Sequence, residues 1–503
     1  MAKLFSVAQI KEWDNYTIQH DPVSSINLME RAAYACTDWI KEYYDSSKAF
    51  IIFCGRGNNG GDGLAIARLL LESQYRVLVY VVGEKSGSRD FEKNLDRLNS
   101  VSNAIYFLNE EKPFPAIGKE IVIDALFGTG LHKKPEGIFS DLIAHINKNK
   151  LFTISIDLPS GLFADASSAG NEIIHADYTL SFQSWKLAFV MPENAKYVGH
   201  PVILDINLSP DYYNKESSQF EMTDVRFIRE IYKRRKPNSN KGNYGYACLL
   251  AGSYGMMGAA VLSARSCLRS GVGKLTCYNP EIGYNIIQTA VPEAMCKTFG
   301  IKVLEKTSGY SDFEAIGIGP GIGDSDSHKD LLKDLFENYQ QPIVIDADAL
   351  NVLSKNKFLY DFIPSKSIIT PHPKEFERLF GKSDSDFDRV QLALTKSKEL
   401  DIYIVLKGHH TFIATPEGKG YFNNTGNAGM ATAGAGDVLT GIITGLLAQK
   451  YSSLEACQLG VFLHGLAGDF AATAISEEAL IAGDIIDYMG KCFKEIANIS
   501  LKH

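Results

Sequence analysis

The 503-residue sequence has no apolar run that approaches the roughly 18 residues of a membrane-spanning helix. Its first residues, MAKLFSVAQIKEWD, include early charges and lack the apolar core of a signal peptide. The eight cysteines are scattered and form no CxxC pair, so neither a disulfide framework nor a thiolate metal cage is expected. These absences together predict a cytoplasmic protein.

An excess of positive charge is also missing. Lysine and arginine number 51 against 59 aspartates and glutamates, and the net charge of −8 offers no general attraction to nucleic acid or to anionic membranes. The basic cluster at 233–236 lies in a polar segment, and we interpret it as a solvated connector. The expected partners are therefore small molecules, with no nucleic acid and no membrane, and we expect a homo-oligomer.

The chain is longer than one ordinary hydrophobic core, which favours two or three domains. Polar residues dominate 207–243, where Pro210 and Pro237 bracket a short helical pattern. We therefore predict domains at 1–210 and 241–503, joined by a linker at 211–240. Short apolar strands alternate with helical patterns in both halves, which indicates two α/β domains, each with three layers around a parallel sheet.

In the first half, the strand at 49–55 runs into a glycine turn, GRGNNGGDG, that opens a helix. Later strands end near Asp124, and near Asp157 with Ser160. The carboxyl ends of parallel strands share one edge of a sheet, so these side chains and Asn59 should converge there. Such oxygen ligands suit a hard cation, with one carboxylate left for proton transfer. Taken singly, each is more often a cap or a turn residue.

In the second half, the stretch 426–440, GNAGMATAGAGDVLT, precedes a smooth apolar run. A glycine turn that opens a helix gathers unpaired backbone N–H groups and forms an anion site. A carboxylate there would repel a phosphate unless it accepts a proton from a neighbouring hydroxyl, which is the role we predict for Asp437. The alternative is that Asp437 only caps the helix. Lys407, at a strand end and followed by glycine, suits a nucleotide phosphate.

The motifs carry a family resemblance. MERAA (29–33), GRGNNGGDG (55–63), DALFGTGL (124–131) and SIDLPSGL (155–162) resemble the epimerase domain of the bifunctional NAD(P)H-hydrate repair enzymes. KGNYGYACLLAGSYGMMGAA, GIGPGIG, DADALN, TPHPKEF, LKGHHT and GNAGMATAGAGDVLTGI resemble their dehydratase domain. The resemblance implies a Rossmann-like N-terminal fold and a ribokinase-like C-terminal fold. It also implies interconversion of R and S hydrates of NADH and NADPH (NADHX and NADPHX), then nucleotide-dependent dehydration with release of phosphate.

For the first domain, the resemblance implies a K⁺ site formed by Asn59, Asp124 and Ser160, and proton transfer by Asp157. The implied substrate contacts are Asn58, Asn59, Gly60, Gly61, Asp62, Gly128, Thr129, Gly130, Leu131, His132, Lys133 and Lys134.

For the second domain, the resemblance implies ADP, favoured over ATP, as phosphoryl donor, with Mg²⁺ and with Asp437 as the base. The implied nucleotide contacts are Lys407, Gly408, His409, His410, Thr411, Gly434 and Gly436. The implied hydrate contacts are Ala259, Gly321, Gly323 and His372.

Three positions depart from the family pattern: Ala433 and Ala435 stand in TAGAGD where TGGSGD is common, and Lys374 stands where glycine is common. Two other functions stay open at this point. One is a ribokinase-like kinase of a vitamin precursor with a non-catalytic N-terminal binding module, which would release a stable phosphorylated product. The other makes the N-terminal domain a protein- or RNA-binding module, and the presence of Asp124 and Asp157 argues against it.

Overall fold

The structure is a computed structural model, and it describes residues 1–83, 86–110 and 113–497. The chain forms two compact units, which divide between Ser218 and Gln219. No helix within the described ranges is long and apolar enough to cross a bilayer.

The first unit alternates strands with helices. Its strands are β1 (Ala2–Leu4), β2 (Ala49–Cys54), β3 (Arg76–Val82), β4 (Ile105–Leu108), β5 (Ile121–Ala125), β6 (Thr153–Ile156), β7 (Tyr178–Phe182) and β8 (His200–Leu204). Its helices are α1 (Val7–His20), α2 (Ser25–Tyr43), α3 (Asn58–Glu72), α4 (Arg89–Asn99), α5 (Ile138–Lys148), α6 (Ala195–Val198) and α7 (Pro210–Lys215).

Seven of these strands form a parallel sheet in the order β4-β3-β2-β5-β6-β7-β8. The side chains of β2 are buried on both faces, as expected for a parallel strand covered by helices. Helices α2, α3 and α4 cover one face, where they share a core with Ile52. Helix α5 covers the other face with Ile51. The first unit is therefore a three-layer α/β domain, as the strand pattern predicts.

The glycines of the first turn allow α3 to approach the sheet closely. A Cβ on Gly60 would lie 1.9 Å from the carbonyl oxygen of Gly55, and a Cβ on Gly63 would lie 2.6 Å from Cβ of Ala125. Any side chain at these positions would push α3 away from the strand ends. The close approach places the N-terminus of α3 at the edge of the sheet where the predicted site lies.

The second unit has ten strands among its described residues, 219–497. They are β9 (Phe220–Thr223), β10 (Tyr246–Leu250), β11 (Lys274–Asn279), β12 (Met295–Thr298), β13 (Ala315–Ile318), β14 (Ile343–Ile345), β15 (Ile368–Ile369), β16 (Tyr403–Leu406), β17 (Phe412–Ala414) and β18 (Gly420–Asn423). Its helices are α8 (Val225–Ile231), α9 (Met257–Arg269), α10 (Tyr284–Ala290), α11 (His328–Asn338), α12 (Ala347–Lys355), α13 (Pro373–Phe380), α14 (Asp386–Leu400), α15 (Ala435–Ala448), α16 (Ser453–Ala474) and α17 (Ala482–Ala497).

The strands of the second unit follow one another in the sheet in the order β9-β18-β17-β16-β15-β14-β13-β10-β11-β12. The central strands are parallel, whereas β17 pairs antiparallel with both β16 and β18. Strand β16 ends just before Lys407, as the sequence pattern predicts, and the chain then reverses at the turn around Gly408 into β17. The α/β fold of this unit with its parallel sheet is confirmed.

Helix α15 is almost completely buried and lies against α9. A Cβ on Gly441 would lie 2.1 Å from the carbonyl oxygen of Ser263, and a Cβ on Gly445 would lie 2.1 Å from Oγ of Ser270. The two glycines therefore permit a very close helix contact. This contact fixes the N-terminus of α15, which carries Asp437, relative to the sheet.

The segment that the sequence interprets as a linker contains regular structure. It includes most of α7 and all of β9 and α8, and β9 pairs parallel with β18 in the second unit. Asp224 caps α8 by accepting a hydrogen bond from the backbone N–H of Phe227, 2.8 Å away. The boundaries at 210 and 240 stay a prediction.

Candidate active sites

The first site begins with a buried carboxylate at the end of β5. Asp124 accepts hydrogen bonds from the Ser160 hydroxyl at 2.6 Å, from the Ser160 backbone N–H at 2.8 Å and from the Ser155 hydroxyl at 2.8 Å. Burial raises the pKa of Asp124, and these hydrogen bonds oppose the rise because they favour the charged form. Asp124 and Ser160 thus converge at the sheet edge.

Asn59 lies in the first turn of α3, close to the loop that follows β5. Its amide oxygen and nitrogen are both buried, and neither has a hydrogen-bond partner in the structure. Buried amides rarely stay unpaired, so this one calls for a ligand. Oxygen atoms from an amide, a carboxylate and a hydroxyl suit an alkali cation. The residues present therefore fit the K⁺ site that the resemblance implies.

Asp157 follows β6 directly and adopts a left-handed backbone conformation, with φ at +65°. Its Oδ2 accepts a hydrogen bond from the backbone N–H of Thr129 at 2.9 Å, and its Oδ1 lies 3.2 Å from Nζ of Lys186. A Cβ on Gly128 would lie 2.8 Å from Oδ2 of Asp157 and 3.2 Å from Oδ1 of Asn59. The loop after β5 thus approaches both side chains, and only glycine at 128 permits it.

Lys186 is a buried cation that the sequence patterns do not single out. Its side chain is 1% exposed, and Nζ donates to the Ser181 hydroxyl and to the Phe182 carbonyl, each at 2.8 Å. With Asp157, the ammonium has three partners for three protons. Lys186 is the single charged residue of the segment SFQSWKLAFV. An isolated charge of this kind implies a buried partner, so the sequence could have indicated this ion pair.

Two further carboxyl groups, those of Asp14 and Asp62, interact electrostatically with Asp157. Burial, and then the charge of Asp157, raise the pKa of Asp14 to about 7, while Lys186 opposes the rise. The pKa of Asp62 is raised well above its ordinary value by burial and by the charges of Asp157 and Asp14. The site therefore holds carboxyls with separated proton affinities, the arrangement that proton transfer requires. Asp14 is absent from the predicted set, and its place in a helix of mixed polarity offers no clear signal.

The remaining predicted contacts of the first unit divide by exposure. Gly60 and Gly61 are buried under the sheet edge, and Asn58 is exposed at the start of α3. In the loop after β5, Leu131 is half-buried. The exposed positions of that loop are Gly130, His132, Lys133 and Lys134. Their roles as substrate contacts stay predictions.

The second site is built around the N-terminus of α15. Lys407 follows β16, and its Nζ lies 2.8 Å from Oδ1 of Asp346, at the end of β14. The hydroxyl of Thr440, on α15, donates to Oδ2 of Asp346 at 2.6 Å. Gly434 precedes the helix with φ at +91°, in the left-handed region. The turn thus brings Asp437 into a group with one cation and several carboxylates.

Asp437 is half-buried on the first turn of α15. Burial raises its pKa to about 7, with a further increase from Asp346 that Lys407 opposes. Asp348 and Glu375 contribute smaller increases. A carboxyl with a pKa near neutrality accepts a proton efficiently at physiological pH. This proton affinity suits a general base better than it suits a plain helix cap.

A cavity of about 820 Å³ opens beside this turn. The predicted nucleotide contacts that line it are Lys407, Gly408, His409, Thr411 and Gly436. In the described structure, His410 and Gly434 are not part of the lining. Burial instead lowers the pKa of His410 to about 4, and its Nδ1 lies 3.4 Å from the carbonyl oxygen of Asn423.

A second part of the cavity wall comes from residues that are not among the predicted nucleotide contacts. It includes Asn423, Thr425, Asn427, Met430, Val461 and His464. Asp469 holds this wall, because it accepts hydrogen bonds from the Gly426 backbone N–H and from the Asn427 amide, each at 2.9 Å. Nε2 of His464 lies 2.9 Å from the carbonyl oxygen of Ala435. In the sequence, His464 and Asp469 stand out as the polar titratable residues of the apolar stretch LGVFLHGLAGDFAAT. This contrast could have indicated that they take part in a site.

The predicted hydrate contacts lie on neighbouring turns. A Cβ on Gly321 would lie 3.0 Å from Cβ of Ala259, so these residues are in close contact. Gly323 donates its backbone N–H to Asp348 at 2.8 Å. His372 lines the large cavity, and its Nδ1 accepts hydrogen bonds from the backbone N–H groups that begin α13. Its Nε2 lies 3.5 Å from Oε1 of Glu375. Burial, and then Lys407, lower the pKa of His372.

Within the described residues, no group of three or more histidine, cysteine, aspartate or glutamate side chains is arranged to hold a metal ion. A K⁺ site formed by Asn59, Asp124 and Ser160 would not be of that type, because two of its three ligands are an amide and a hydroxyl. All eight cysteines are free, and seven of them are buried.

Comparison with known protein families agrees with both units. Residues 25–188 match the model of the YjeF-related protein N-terminus, and residues 247–490 match the model of NAD(P)H-hydrate dehydratase. A ribokinase-like superfamily protein from Enterococcus faecalis is 27% identical with a TM-score of 0.50, covering 56% of this chain and 98% of its own. The chain thus combines a YjeF-related domain with a ribokinase-like dehydratase domain.

Similarity to relatives extends over nearly the whole chain. A bifunctional NAD(P)H-hydrate repair enzyme from Moorella thermoacetica is 33% identical over 97% of this chain and 96% of its own length. An ADP/ATP-dependent NAD(P)H-hydrate dehydratase from Bacillus subtilis, co-crystallised with ATP and Mg²⁺, is 33% identical over 54% of this chain and 97% of its own, with a TM-score of 0.48. The chain belongs to the family of bifunctional NAD(P)H-hydrate repair enzymes, and the family prediction from its motifs is confirmed.

Proposed function

We propose that this chain repairs hydrated NADH and NADPH in two steps, epimerisation of the R and S hydrates in the first unit and nucleotide-dependent dehydration of the S hydrate in the second. The observation that carries the proposal is the position of Asp437, a carboxyl with a pKa of about 7, beside Lys407 at a glycine turn that borders a large cavity. Family membership over nearly the full length supports both steps.

In the dehydratase step, the nucleotide occupies the cavity with its terminal phosphate between Lys407 and the backbone N–H groups at the start of α15. Both supply positive potential to the phosphate oxygens. Asp437 takes the proton of the hydrate's ring hydroxyl as its oxygen attacks that phosphate, and the nucleotide loses one phosphoryl group. The ring nitrogen then expels inorganic phosphate and the ring loses a proton, which restores the dihydronicotinamide.

We favour ADP over ATP as the donor. Mg²⁺ would bind mainly through the phosphates of the nucleotide, since this ion is often held by one or two carboxylates plus substrate phosphates. Lys407 and the N-terminus of α15 are the protein groups that would bind the phosphate directly.

In the epimerase step, Asp157 transfers a proton to or from the hydrate as its R and S forms interconvert. Asn59, Asp124 and Ser160 would hold K⁺, whose charge offsets the buried carboxylates nearby. The loop 128–134 would cover the substrate, since its backbone already contacts Asp157 through Thr129. A homo-oligomeric assembly and a cytoplasmic location stay predictions.

The decisive experiment incubates the purified chain with mixed R and S hydrates, K⁺ and Mg²⁺, with ADP or ATP in separate reactions. Recovery of near-ultraviolet absorbance and release of phosphate in equal amounts are expected. Asp437→Ala should abolish this recovery and leave R-to-S conversion intact, whereas Asp157→Ala should do the reverse. A stable phosphorylated product without dihydronicotinamide would instead indicate a kinase, and near wild-type dehydration by Asp437→Ala would show that the assigned base is wrong.

A further inference from the structure

Asp346 connects three elements of the second unit. Its backbone N–H donates to the carbonyl of Ile318 at 3.0 Å, which fixes the end of β14 against β13. Its carboxylate is 1% exposed and contacts Lys407 after β16 and Thr440 on α15. These partners lie 61 and 94 residues away in sequence. Neither the family resemblance nor the mechanism proposed above assigns a role to the Asp346 carboxylate.

The ion pair of Asp346 and Lys407 lies very close to the glycine turn that begins α15. A Cβ on Gly436 would lie 3.3 Å from Nζ of Lys407 and 3.8 Å from Oδ2 of Asp346. The ammonium therefore lies close to the first turn of α15, whose first backbone N–H groups have no partner within the helix. Glu375, whose Oε2 is 3.9 Å from Nζ, is a more distant second anion. Asp346 is thus the principal anchor of the lysine in this structure.

We infer that Asp346 is a positioning residue of the dehydratase site, whose carboxylate holds the Lys407 ammonium against the first turn of α15 so that the phosphate-binding lysine and Asp437 keep one arrangement. The inference rests on the proposed dehydratase function. Asp346 itself is buried beneath Lys407 and need not touch the nucleotide.

The charge of Asp346 has a second, opposite consequence. The groups that face Asp437 are Asp346, Asp348, Glu375 and Lys407, and Asp346 is the largest of the three negative contributions. Replacing it with a neutral amide removes a repelling charge. It also frees Lys407 to interact with Asp437 more strongly. Both changes favour the ionised form of Asp437, so the acid limb of the pH–rate profile should move to lower pH.

The test compares Asp346→Asn with wild type in the full chain. We expect the KM and the Kd for ADP to rise about tenfold or more, because the lysine loses its anchor. We also expect the acid limb of kcat to move down by about one pH unit. Loss of packing alone would not move that limb downward. Asp361→Asn, at an exposed position of the same unit, is the matched control and should behave as wild type.

A second pair of variants guards against misfolding of Asp346→Asn. Thr440→Val removes the hydroxyl donor and keeps the charge, so the ADP Kd should rise while the acid limb stays in place; Thr440→Ser restores the hydroxyl and should recover much of the affinity. An ADP Kd equal to wild type, or an acid limb that stays or rises in folded Asp346→Asn, overturns the inference. Equal Kd values for Thr440→Val and Thr440→Ser also overturn it. Calorimetric ADP binding does not require turnover, so failure of the dehydratase proposal remains distinguishable.

Discussion

We predict that the ionised carboxylate of Asp437, which the proposed reaction requires, lowers the stability of the folded chain. The variant Asp437→Asn tests this prediction. The pKa of this carboxyl rises from an ordinary value of 3.8 to about 7 on folding, first because of burial and then because of Asp346. The unfolded chain therefore releases its proton more readily than the folded chain does. Ionisation of Asp437 thus disfavours the folded state.

The sign and size of the effect follow from linkage. The cost is absent below the unfolded pKa of about 4, grows as the pH rises, and reaches its full value above about 7. Each unit of pKa difference corresponds to about 1.4 kcal/mol, so three units set an upper limit of about 4 kcal/mol. Because the side chain is only half-buried, solvent screening reduces the expected value to about 2 kcal/mol.

Asn has the same shape without the charge, so the Asp437→Asn variant should be inactive as a dehydratase yet more stable than wild type. The gain should be about 2 kcal/mol at pH 8, or a few degrees in the melting temperature of the second unit. It should be much smaller at pH 5. Thermal melts of both proteins at pH 5, 6, 7 and 8 measure it, with Asp361→Asn as the exposed control.

The outcome that would refute this reasoning is a stability difference that does not change between pH 5 and pH 8. A constant difference would mean that the substitution alters packing rather than a proton equilibrium. The same titration should appear in the rate: wild-type dehydration should fall about tenfold per pH unit as the pH drops below about 7, since only ionised Asp437 accepts the proton.

Three predictions concern the first unit. Gly128→Ala should reduce epimerase kcat at least tenfold without unfolding the unit, because the new Cβ would lie 2.8 Å from Oδ2 of Asp157 and 3.2 Å from Asn59; stopped-flow epimerisation with circular dichroism separates the two effects. Lys186→Met should lower both epimerase rate and melting temperature, by several degrees, because it leaves the Asp157 carboxylate without its buried cation; a stable, active variant would contradict this. Replacing K⁺ with tetramethylammonium should slow epimerisation and leave dehydration unchanged, and Ser160→Ala should weaken the response to K⁺ as measured by the half-saturating concentration.

Local patterns account for much of what could be predicted. Buried parallel strands are recognisable as short apolar runs, and glycine turns at their carboxyl ends mark where ligands approach. For that reason the convergence of Asp124 and Ser160, and the position of Asp437 at a helix N-terminus, follow from the order of residues along the chain. Each depends on a turn of a few residues and on the general geometry of a parallel sheet.

Tertiary structure alone decided the partners of those residues. Lys186 reaches Asp157 across a loop, Asp346 joins Lys407 to Thr440 over 61 and 94 residues, and residues of β18 and α16 join the cavity lining. The entry of β9 into the second sheet was likewise not visible in local patterns. The physical reason is that ion pairs and strand pairing depend on which distant segments pack together. A sequence read in short windows can identify the charged group at a turn, but only the folded chain determines which group opposes it and how strongly burial shifts its pKa.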